Sequence, residues 1–178
     1  MISPDREDRP ASTPESRKKA LAIAANVLTY KNRSAAALYD RLLEKEIGEE
    51  DAAYAVARLI ELGFLNDETY GRHVVEQCRA KGWGRSRIAQ ELKKKQLDAE
   101  LIGQLLEDFE PDYDKMQKLI AAKLKGDPNP DRAALKKVSD SLARKGFSWA
   151  QIKQALSNYS ASFGDDEDYG QYDTDCDQ

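Results

Sequence analysis

The sequence predicts an all-α protein built from three tandem three-helix repeats, in an elongated, solenoid-like arrangement with disordered termini. Three observations lead to this fold class. Apolar residues recur with helical periodicity between the polar ends of the chain and do not alternate as they would in a strand. Apolar positions also repeat at an offset of fifty residues, as in Leu42, Leu92 and Leu142. Finally, 34% of the residues are charged and only 8% aromatic, which is more typical of a helical protein than of a β-sandwich.

Six apolar columns keep the fifty-residue offset through all three copies. They are Leu38, Ile88 and Val138; Leu42, Leu92 and Leu142; Ile47, Leu97 and Phe147; Ala52, Ile102 and Ile152; Val56, Leu106 and Leu156; and Leu59, Phe109 and Tyr159. This register is hard to obtain by chance in a chain that is 40% hydrophobic, so it indicates a triplicated unit. Short helices are marginal alone in water, and their apolar stripes must therefore pack within the unit and on the next one.

Composition divides the chain into five segments. Residues 1–16 are polar, contain three of the six prolines and are predicted to be disordered. The three repeats are predicted at 17–64, 65–111 and 112–160, and the second of them is basic. Residues 161–178 are acidic, lack an apolar period and are also predicted to be disordered.

The first repeat is predicted to contain helices at 20–30, 35–46 and 50–62. Ser34 lies where an N-cap belongs, because its hydroxyl can accept a hydrogen bond from a first-turn amide. Glu49, Glu50 and Asp51 place negative charge in a first turn, where the helix dipole favours it.

The second repeat is predicted to contain helices at 67–80, 85–95 and 99–108. Asp67 and Asp98 are the expected N-caps. Gly82 and Gly84 free the backbone for a sharp turn and allow a new helix to begin at Arg85.

The third repeat is predicted to contain helices at 113–124, 131–145 and 149–159. Asn129 is the expected N-cap of a helix with Pro130 at its first position. Ser148 and Gln151 have the spacing of a capping box. Gly146 is expected to stop the preceding helix with a positive φ.

Charge is distributed unevenly along the chain. The segment from Arg72 to Leu97 contains eight lysine and arginine residues against two glutamates. The acidic tail carries seven carboxylates and no base, so the rest of the chain has a net charge of +3 although the whole has −4. Repulsion among so many cations costs stability, and this cost favours an anionic partner for the basic segment.

Several functional classes lack their sequence signals. No phosphate-binding loop, dinucleotide-binding glycine motif or nucleophile elbow is present, so we expect neither an enzyme nor a cofactor. His73, the single histidine, is expected to be exposed, and Cys78 to be a small buried residue. Two cysteines are too few for a disulfide framework or a zinc site. No membrane span or signal peptide is apparent, which favours the cytoplasm.

The basic segment is the best candidate for a binding site. Arg85, Arg87, Lys93 and Lys94 fall outside the apolar stripe that Ile88 and Leu92 define, so reversing their charge should leave the fold intact. The predicted partner-binding or DNA-binding residues are Arg72, Arg79, Lys81, Trp83, Arg85, Arg87, Lys93, Lys94, Lys95, Arg144 and Lys145. The alternative is a solvated helix surface whose long side chains cover apolar area. For Arg144 and Lys145, the negative end of a helix dipole is a sufficient alternative.

Trp83 has two interpretations at this stage. Its indole could fill a gap between the first two helices of the repeat. It could instead be an aromatic anchor for a partner pocket or a stacking surface for a base.

Three motifs in order resemble those of the RecX family of recombination regulators. LGFLND at 62–67, followed by Tyr70, resembles the family's signature between the first two units. GRSRIAQELKKKQL at 84–97 resembles its central motif, and ARKGFSWAQI at 143–152 its third-unit motif. The sequence departs from the family at Gln96, where members commonly have glycine, and at Ala37, where they often have glutamate.

The resemblance implies a protein of three-helix repeats that binds RecA and modulates, usually inhibits, its filament on single-stranded DNA. It also implies a role in DNA repair by homologous recombination and in the SOS response. We expect a monomer that contacts the RecA filament, and single-stranded DNA directly as a further partner. Two rival interpretations are a direct DNA-binding protein of helix-turn-helix type and a scaffold that binds an acidic protein. A direct DNA binder should lose affinity steeply with salt even without recombinase.

Overall fold

The computed structural model describes residues 12–127 and 130–159, and within these ranges the chain forms nine α-helices and no strand. The helices are α1 Pro14–Tyr30, α2 Ala35–Leu43, α3 Glu49–Glu61, α4 Asp67–Ala80, α5 Arg85–Lys94, α6 Ala99–Leu105, α7 Tyr113–Leu124, α8 Arg132–Arg144 and α9 Trp149–Tyr159. The predicted all-α class, with three helices in each repeat, is confirmed. No helix in the described part of the chain is long and apolar enough to cross a membrane.

The second helix of every repeat ends in the same way. Glu46, Gln96 and Gly146, spaced by fifty residues, have positive φ angles of 63°, 58° and 88°. In each copy the next amide donates back to the carbonyl of the buried column leucine, and for Ile47 that acceptor is Leu42 at 3.1 Å. This is the pattern of a helix C-terminus closed by a left-handed residue. The repeat therefore extends from side chains to backbone conformation.

The predicted apolar columns form the core. Leu42, Leu92 and Leu142 are at most 1% exposed, which confirms the prediction that all three are buried. The columns that begin at Leu38, Ala52 and Val56 are likewise buried in all three copies. In the column that begins at Ile47, only Ile47 itself is partly exposed. In the column that begins at Leu59, Phe109 and Tyr159 are partly exposed.

The first helix begins earlier than the sequence predicts. Thr13 caps α1 through a capping box, in which the Ser16 amide donates to Thr13 Oγ1 and the Thr13 amide donates to Ser16 Oγ. The prediction of disorder over 1–16 is therefore wrong for residues 14–16, which are helical. The disorder predicted for 1–11 and for 161–178 lies outside the described residues.

Local hydrogen bonds confirm three of the predicted caps. Ser34 accepts from the Ala37 amide, and Asp98 accepts from the Glu100 amide at 2.8 Å. Ser148 and Gln151 form both bonds of a capping box.

The other two predicted caps are corrected. Asn66, not Asp67, caps α4, since its side chain accepts from the Thr69 amide at 2.8 Å. Asp67 instead accepts from the Ala35 amide of α2, and burial raises the pKa of its carboxyl. Asp131 caps α8, which begins at Arg132, so Pro130 is not its first residue; Asn129 lies outside the described residues.

The described residues group into two compact units. One comprises those within 1–78 and 88–109, and the other those within 79–87 and 110–178. In the first unit, α1 packs on α3 and α2 around Ala20, Ala24 and Leu38. In the second, α7 packs on α9 and α8 around Met116 and Ile120. The end of α4, the following turn and the start of α5 thus belong with the third repeat.

The first unit is reinforced at two close approaches. Ser12 Oγ donates to the Asp51 carboxylate of α3 and accepts from Arg17 Nε, and the Ser12 bond lowers the pKa of Asp51. A side chain at Gly71 of α4 would lie 2.4 Å from Leu105 Cδ1 of α6. A larger residue at this position would therefore require the Leu105 side chain to shift.

Candidate partner-binding surface

A tight turn in the second unit places Trp83 between α4 and α5. Gly82 has a φ of 67°, and its amide donates to the Arg79 carbonyl at 2.9 Å. Glycine adopts this left-handed conformation without steric cost, so the helix ends here as the sequence predicts.

The start of α5 hydrogen-bonds to the turn that follows α8. The Gly84 amide donates to the Lys145 carbonyl at 2.7 Å, and the Ser86 amide donates to the Gly146 carbonyl at 3.2 Å. Arg87 Nη1 donates to the Arg144 carbonyl at 2.9 Å. Amides in a first helical turn have no partner within their own helix, and carbonyls in a last turn have none either. Here the amides at the start of α5 donate to the carbonyls of the turn after α8, so both groups are satisfied.

Two glycines make this contact sterically possible. A Cβ on Gly84 would lie 2.4 Å from the Gly146 carbonyl oxygen. A Cβ on Gly146 would lie 2.4 Å from the Arg87 amide nitrogen. Gly84 is therefore required for a close backbone approach, whereas the sequence suggested only freedom in the turn. Gly146 is required both for that approach and for its positive φ.

The Trp83 ring lies against two cations. Arg87 Cζ is 4.5 Å and Lys81 Nζ is 5.3 Å from the centre of the indole. Both distances are within the range of cation–π interactions. The indole is half-buried, so it is neither a fully enclosed core residue nor a bare surface anchor. We refer to Lys81, Trp83, Arg87, Arg144 and Lys145 as the Trp83 cluster.

The Trp83 cluster contains four cations and no carboxylate of its own. Its four cations come from segments that the Arg87–Arg144 hydrogen bond joins across 57 residues of sequence. None of the four forms an ion pair with any residue that the structure describes. A surface of this kind can bind phosphate or carboxylate groups and offer an aromatic edge to a partner.

Other predicted site residues have partners within the chain. Arg72 pairs with Glu68 on α4, and Lys95, the residue that follows α5, pairs with Glu91 of α5 at 3.3 Å. Both pairs join residues four apart on a helix surface. Arg72 and Lys95 are thus already engaged.

The remaining predicted residues differ in their surroundings. Lys93 and Lys94 are exposed in the last turn of α5, where the helix dipole favours cations, and they belong to the first unit. Arg79 and Arg85 belong to the second unit and are exposed. Each of them already interacts with another group of the chain, so neither is counted in the Trp83 cluster. Arg87 also donates to the Arg144 carbonyl, so we now expect reversal of its charge to cost stability as well as to change the surface.

Lys115 is a neighbour of this region that the sequence did not single out. Its Nζ lies 3.4 Å from the Arg79 carbonyl and 3.3 Å from Asp112 Oδ2. Asp112 caps α7, and the hydrogen bond from the Lys115 amide lowers the pKa of its carboxyl. The Asp-x-x-Lys spacing is the available sequence signal for this pair.

The described residues contain no group of three or more histidine, cysteine or acidic side chains that could hold a metal ion. His73 is exposed and lies 2.8 Å from Gln77 Nε2, as expected of a helix-surface histidine. Cys78 is 2% exposed, which confirms that it is a buried residue.

Comparisons with known proteins match the repeat organisation. The family models for the first, second and third three-helix domains of RecX match residues 20–59, 66–106 and 110–156. Together they cover most of the chain, in the order of the repeats.

Similar proteins carry the same family name. A regulatory protein RecX from Trichlorobacter lovleyi is 33% identical over 137 residues, covering 74% of this chain and 89% of that protein. One from Vibrio parahaemolyticus is 30% identical over 152 residues, covering 85% of this chain and 96% of that protein. A crystal structure of RecX from Lactobacillus salivarius has a TM-score of 0.76 at 23% identity, covering 83% of this chain and 98% of that one. At that identity the structural similarity is evidence for the fold alone.

Proposed function

Because this chain belongs to the RecX family of regulatory proteins, we propose that it regulates the RecA recombinase by binding the RecA–single-stranded DNA filament. We further infer that it is a non-enzymatic inhibitor that acts as a monomer in the cytoplasm, in homologous recombination and the SOS response. The family membership supports the regulatory role, and the sequence resemblance supports RecA as the partner.

The observation that carries the choice of surface is the Trp83 cluster. Lys81 and Arg87 flank the Trp83 ring, and the backbone carbonyls of Arg144 and Lys145 accept hydrogen bonds from the same turn. None of these four cations has a carboxylate partner among the described side chains, which favours an anionic partner for this surface. A nucleoprotein filament offers the phosphates of its DNA strand and the carboxylates of its protein subunits. Arg87 and Trp83 hold each other in place, which lowers the entropy lost when a partner binds.

Inhibition follows if the protein binds neighbouring filament subunits unequally in their assembly-competent and assembly-incompetent arrangements. A ligand shifts such an equilibrium only by its difference in affinity for the two states. Several weak ionic contacts made in series would supply that difference.

The test is RecA-dependent ATP hydrolysis on single-stranded DNA, together with co-sedimentation with the filament. The combined variant Lys81→Gln and Lys145→Gln should require on the order of tenfold more protein for half-inhibition. Its log affinity should depend less steeply on log salt, by about 0.7 for each lost phosphate contact on a single strand.

The matched control is Lys136→Gln with Lys137→Gln, two exposed cations on α8 of the same unit. This control should behave like the parent protein. The proposal fails if the parent leaves ATP hydrolysis unchanged over a range of salt. The choice of surface fails if both double variants inhibit equally well and with equal salt slopes.

A further inference from the structure

The second helices of consecutive repeats meet through a recurring contact, which we call the helix joint. In the second unit, the Gly84 amide at the start of α5 donates to the Lys145 carbonyl in the turn after α8. In the first unit, the Ser34 hydroxyl at the start of α2 donates to the Lys95 carbonyl in the turn after α5. Ser34 and Gly84 are fifty residues apart, and so are Lys95 and Lys145. The same two positions of the repeat therefore meet twice.

The turn that ends α2, residues 44–46, is the remaining turn of this kind. It lies one repeat before the turn at 94–96. Its three carbonyls accept no hydrogen bond from any residue that the structure describes. All three residues of the turn line a cleft of about 510 Å³, together with Ile23 and Val27 of α1. This volume is within the range of clefts that bind a ligand.

The other two joints indicate what this turn can bind. Carbonyls in the last turn of a helix lack partners within that helix, and so do amides in a first turn. At both joints the donor that meets these carbonyls comes from the start of another helix. The turn after α2 has the same backbone conformation, since Glu46 has a φ of 63° and Gln96 one of 58°. The first turn of a helix therefore fits this cleft.

The residue with positive φ decides between two kinds of joint. A Cβ at Gly146 would lie 2.4 Å from a backbone nitrogen of α5, so that joint depends on direct backbone contact. Gln96 carries a side chain, and the joint there uses the Ser34 hydroxyl instead. Glu46 carries a side chain as well, so the serine kind of joint is the one that fits. Its donor would be a serine or threonine hydroxyl, and its acceptor the Lys45 carbonyl.

A second bond of the serine joint adds a requirement for charge. Gln96 Nε2 donates to Asp40 Oδ2 at 2.7 Å, and Asp40 lies six residues after Ser34. Glu46 occupies the position of Gln96, but an ionised carboxylate only accepts hydrogen bonds. A lysine or arginine six residues after the cap would therefore pair with Glu46.

The helix starts of a second copy do not meet both requirements. Among the described helices, hydroxyl side chains cap three, at Thr13, Ser34 and Ser148. Ser34 already forms the joint within its own chain. The Thr13 hydroxyl donates to Ser16 Oγ in its capping box. Ser148 is followed six residues later by the uncharged Gln154. The matching helix start thus belongs to a different protein.

We propose that the cleft at the end of α2 docks the first turn of a helix from a partner protein. The partner's helix has a serine or threonine cap, whose hydroxyl donates to the Lys45 carbonyl, and a lysine or arginine six residues later, which pairs with Glu46. This surface contains no residue of the Trp83 cluster. It goes beyond the regulatory function proposed above, and the failure of either proposal leaves the other standing.

The experiment titrates the full chain with two hydrocarbon-stapled peptides and follows backbone amides by NMR. The aspartate peptide copies residues 31–44, which form the serine joint on α5, and the lysine peptide differs only by Asp40→Lys. Circular dichroism establishes that both are helical. The lysine peptide should shift the amides of Glu46 and Ile47 and bind about threefold more tightly than the aspartate peptide, as for one exposed ion pair. Ser34→Ala in the lysine peptide should weaken binding about fivefold, as for one hydrogen bond.

Charge reversal on the protein supplies the matched test. Glu46→Lys keeps a non-glycine residue at the same φ, and it should reverse the preference in favour of the aspartate peptide. The control is Glu61→Lys, the same substitution at an exposed residue that ends α3 in the same unit and does not line the cleft. Its own ion pair with Arg58 is exposed and contributes little. This control should keep the preference of the parent.

Four outcomes would overturn the proposal. The first is that neither helical peptide shifts the amides of Glu46 and Ile47. The second is an equal peptide preference in the parent and in Glu46→Lys. The third is self-association in sedimentation velocity that Glu46→Lys abolishes, which would make a second copy the occupant. The fourth is about tenfold tighter peptide binding after deletion of residues 1–11, the amount by which a segment already docked for nine-tenths of the time would lower affinity.

Discussion

The indole of Trp83 is intermediate between the buried and the exposed position that its sequence context left open. It is half-buried in the turn after α4, and its ring lies 4.5 Å from the Arg87 guanidinium carbon. Arg87 in turn donates to the Arg144 carbonyl. The ring therefore stabilises the fold and also keeps a cation of the candidate binding surface in position.

Trp83→Ala should cost about 2 kcal/mol of unfolding free energy, roughly half of what a fully buried tryptophan loses. It should also weaken filament binding, because Arg87 loses its stacking partner. Urea unfolding and co-sedimentation measure the two effects, and Trp83→Phe should retain most of both. A stability loss above about 4 kcal/mol would make the indole an ordinary core residue. An unchanged free energy of unfolding would show that the indole contributes only to partner binding.

At the scale of the helix, one structural position recurs with different residues. Glu46, Gln96 and Gly146 all end a second helix with positive φ, but only glycine adopts that conformation without cost. Gln96 offsets part of this cost because its Nε2 donates to Asp40 Oδ2 at 2.7 Å. Gln96 is also the position at which members of the family commonly have glycine. The replacement of glycine by glutamine therefore leaves the positive φ at this position unchanged.

Glu46→Gly should stabilise the protein by about 1 kcal/mol, because it removes the strain of a left-handed residue. Gly146→Ala should instead destabilise it by about 2 kcal/mol or more, because φ is 88° and the new Cβ would meet the Arg87 amide at 2.4 Å. Thermal and urea unfolding measure both changes. Glu46→Ala removes the same charge but keeps the strain, so it should not stabilise. Equal responses of Glu46→Gly and Glu46→Ala would contradict the backbone explanation.

At the scale of the whole molecule, the opposed charges of body and tail set the long-range field. The chain has a net charge of −4, but seven of its carboxylates lie within 161–178. If the protein binds an anionic filament as proposed, the tail should lower the attraction between them, and salt should screen this effect.

Deleting residues 161–178 should raise affinity for the RecA–single-stranded DNA filament several-fold at low ionic strength, on the order of what one to a few screened charges supply. The difference should disappear near 1 M salt, where the Debye length is about 3 Å. Co-sedimentation over a salt series measures it. Replacing the seven acidic residues of the tail by their amides keeps its length and should have the same effect. An amide tail that binds like the parent while the deletion binds more tightly would indicate steric exclusion instead.

The nine helices, their order and the repeat could be predicted from the sequence, except for the start of the first helix. These features depend on local interactions: a helical apolar period, caps such as Ser34 and Asp98, and column residues such as Leu42 and Leu92 that recur at a constant offset. The start of α1 was missed because Thr13 and Ser16 form a capping box without the acidic residue or glutamine that marks one.

The set of cations that share a surface could not be predicted from the sequence, because it depends on contacts between distant segments. Gly84 and Arg87 find their acceptors on Lys145 and Arg144, far along the chain, because unpaired amides and carbonyls at helix ends are satisfied wherever the fold brings them together. Sequence spacing cannot predict such pairs, since no local period connects them.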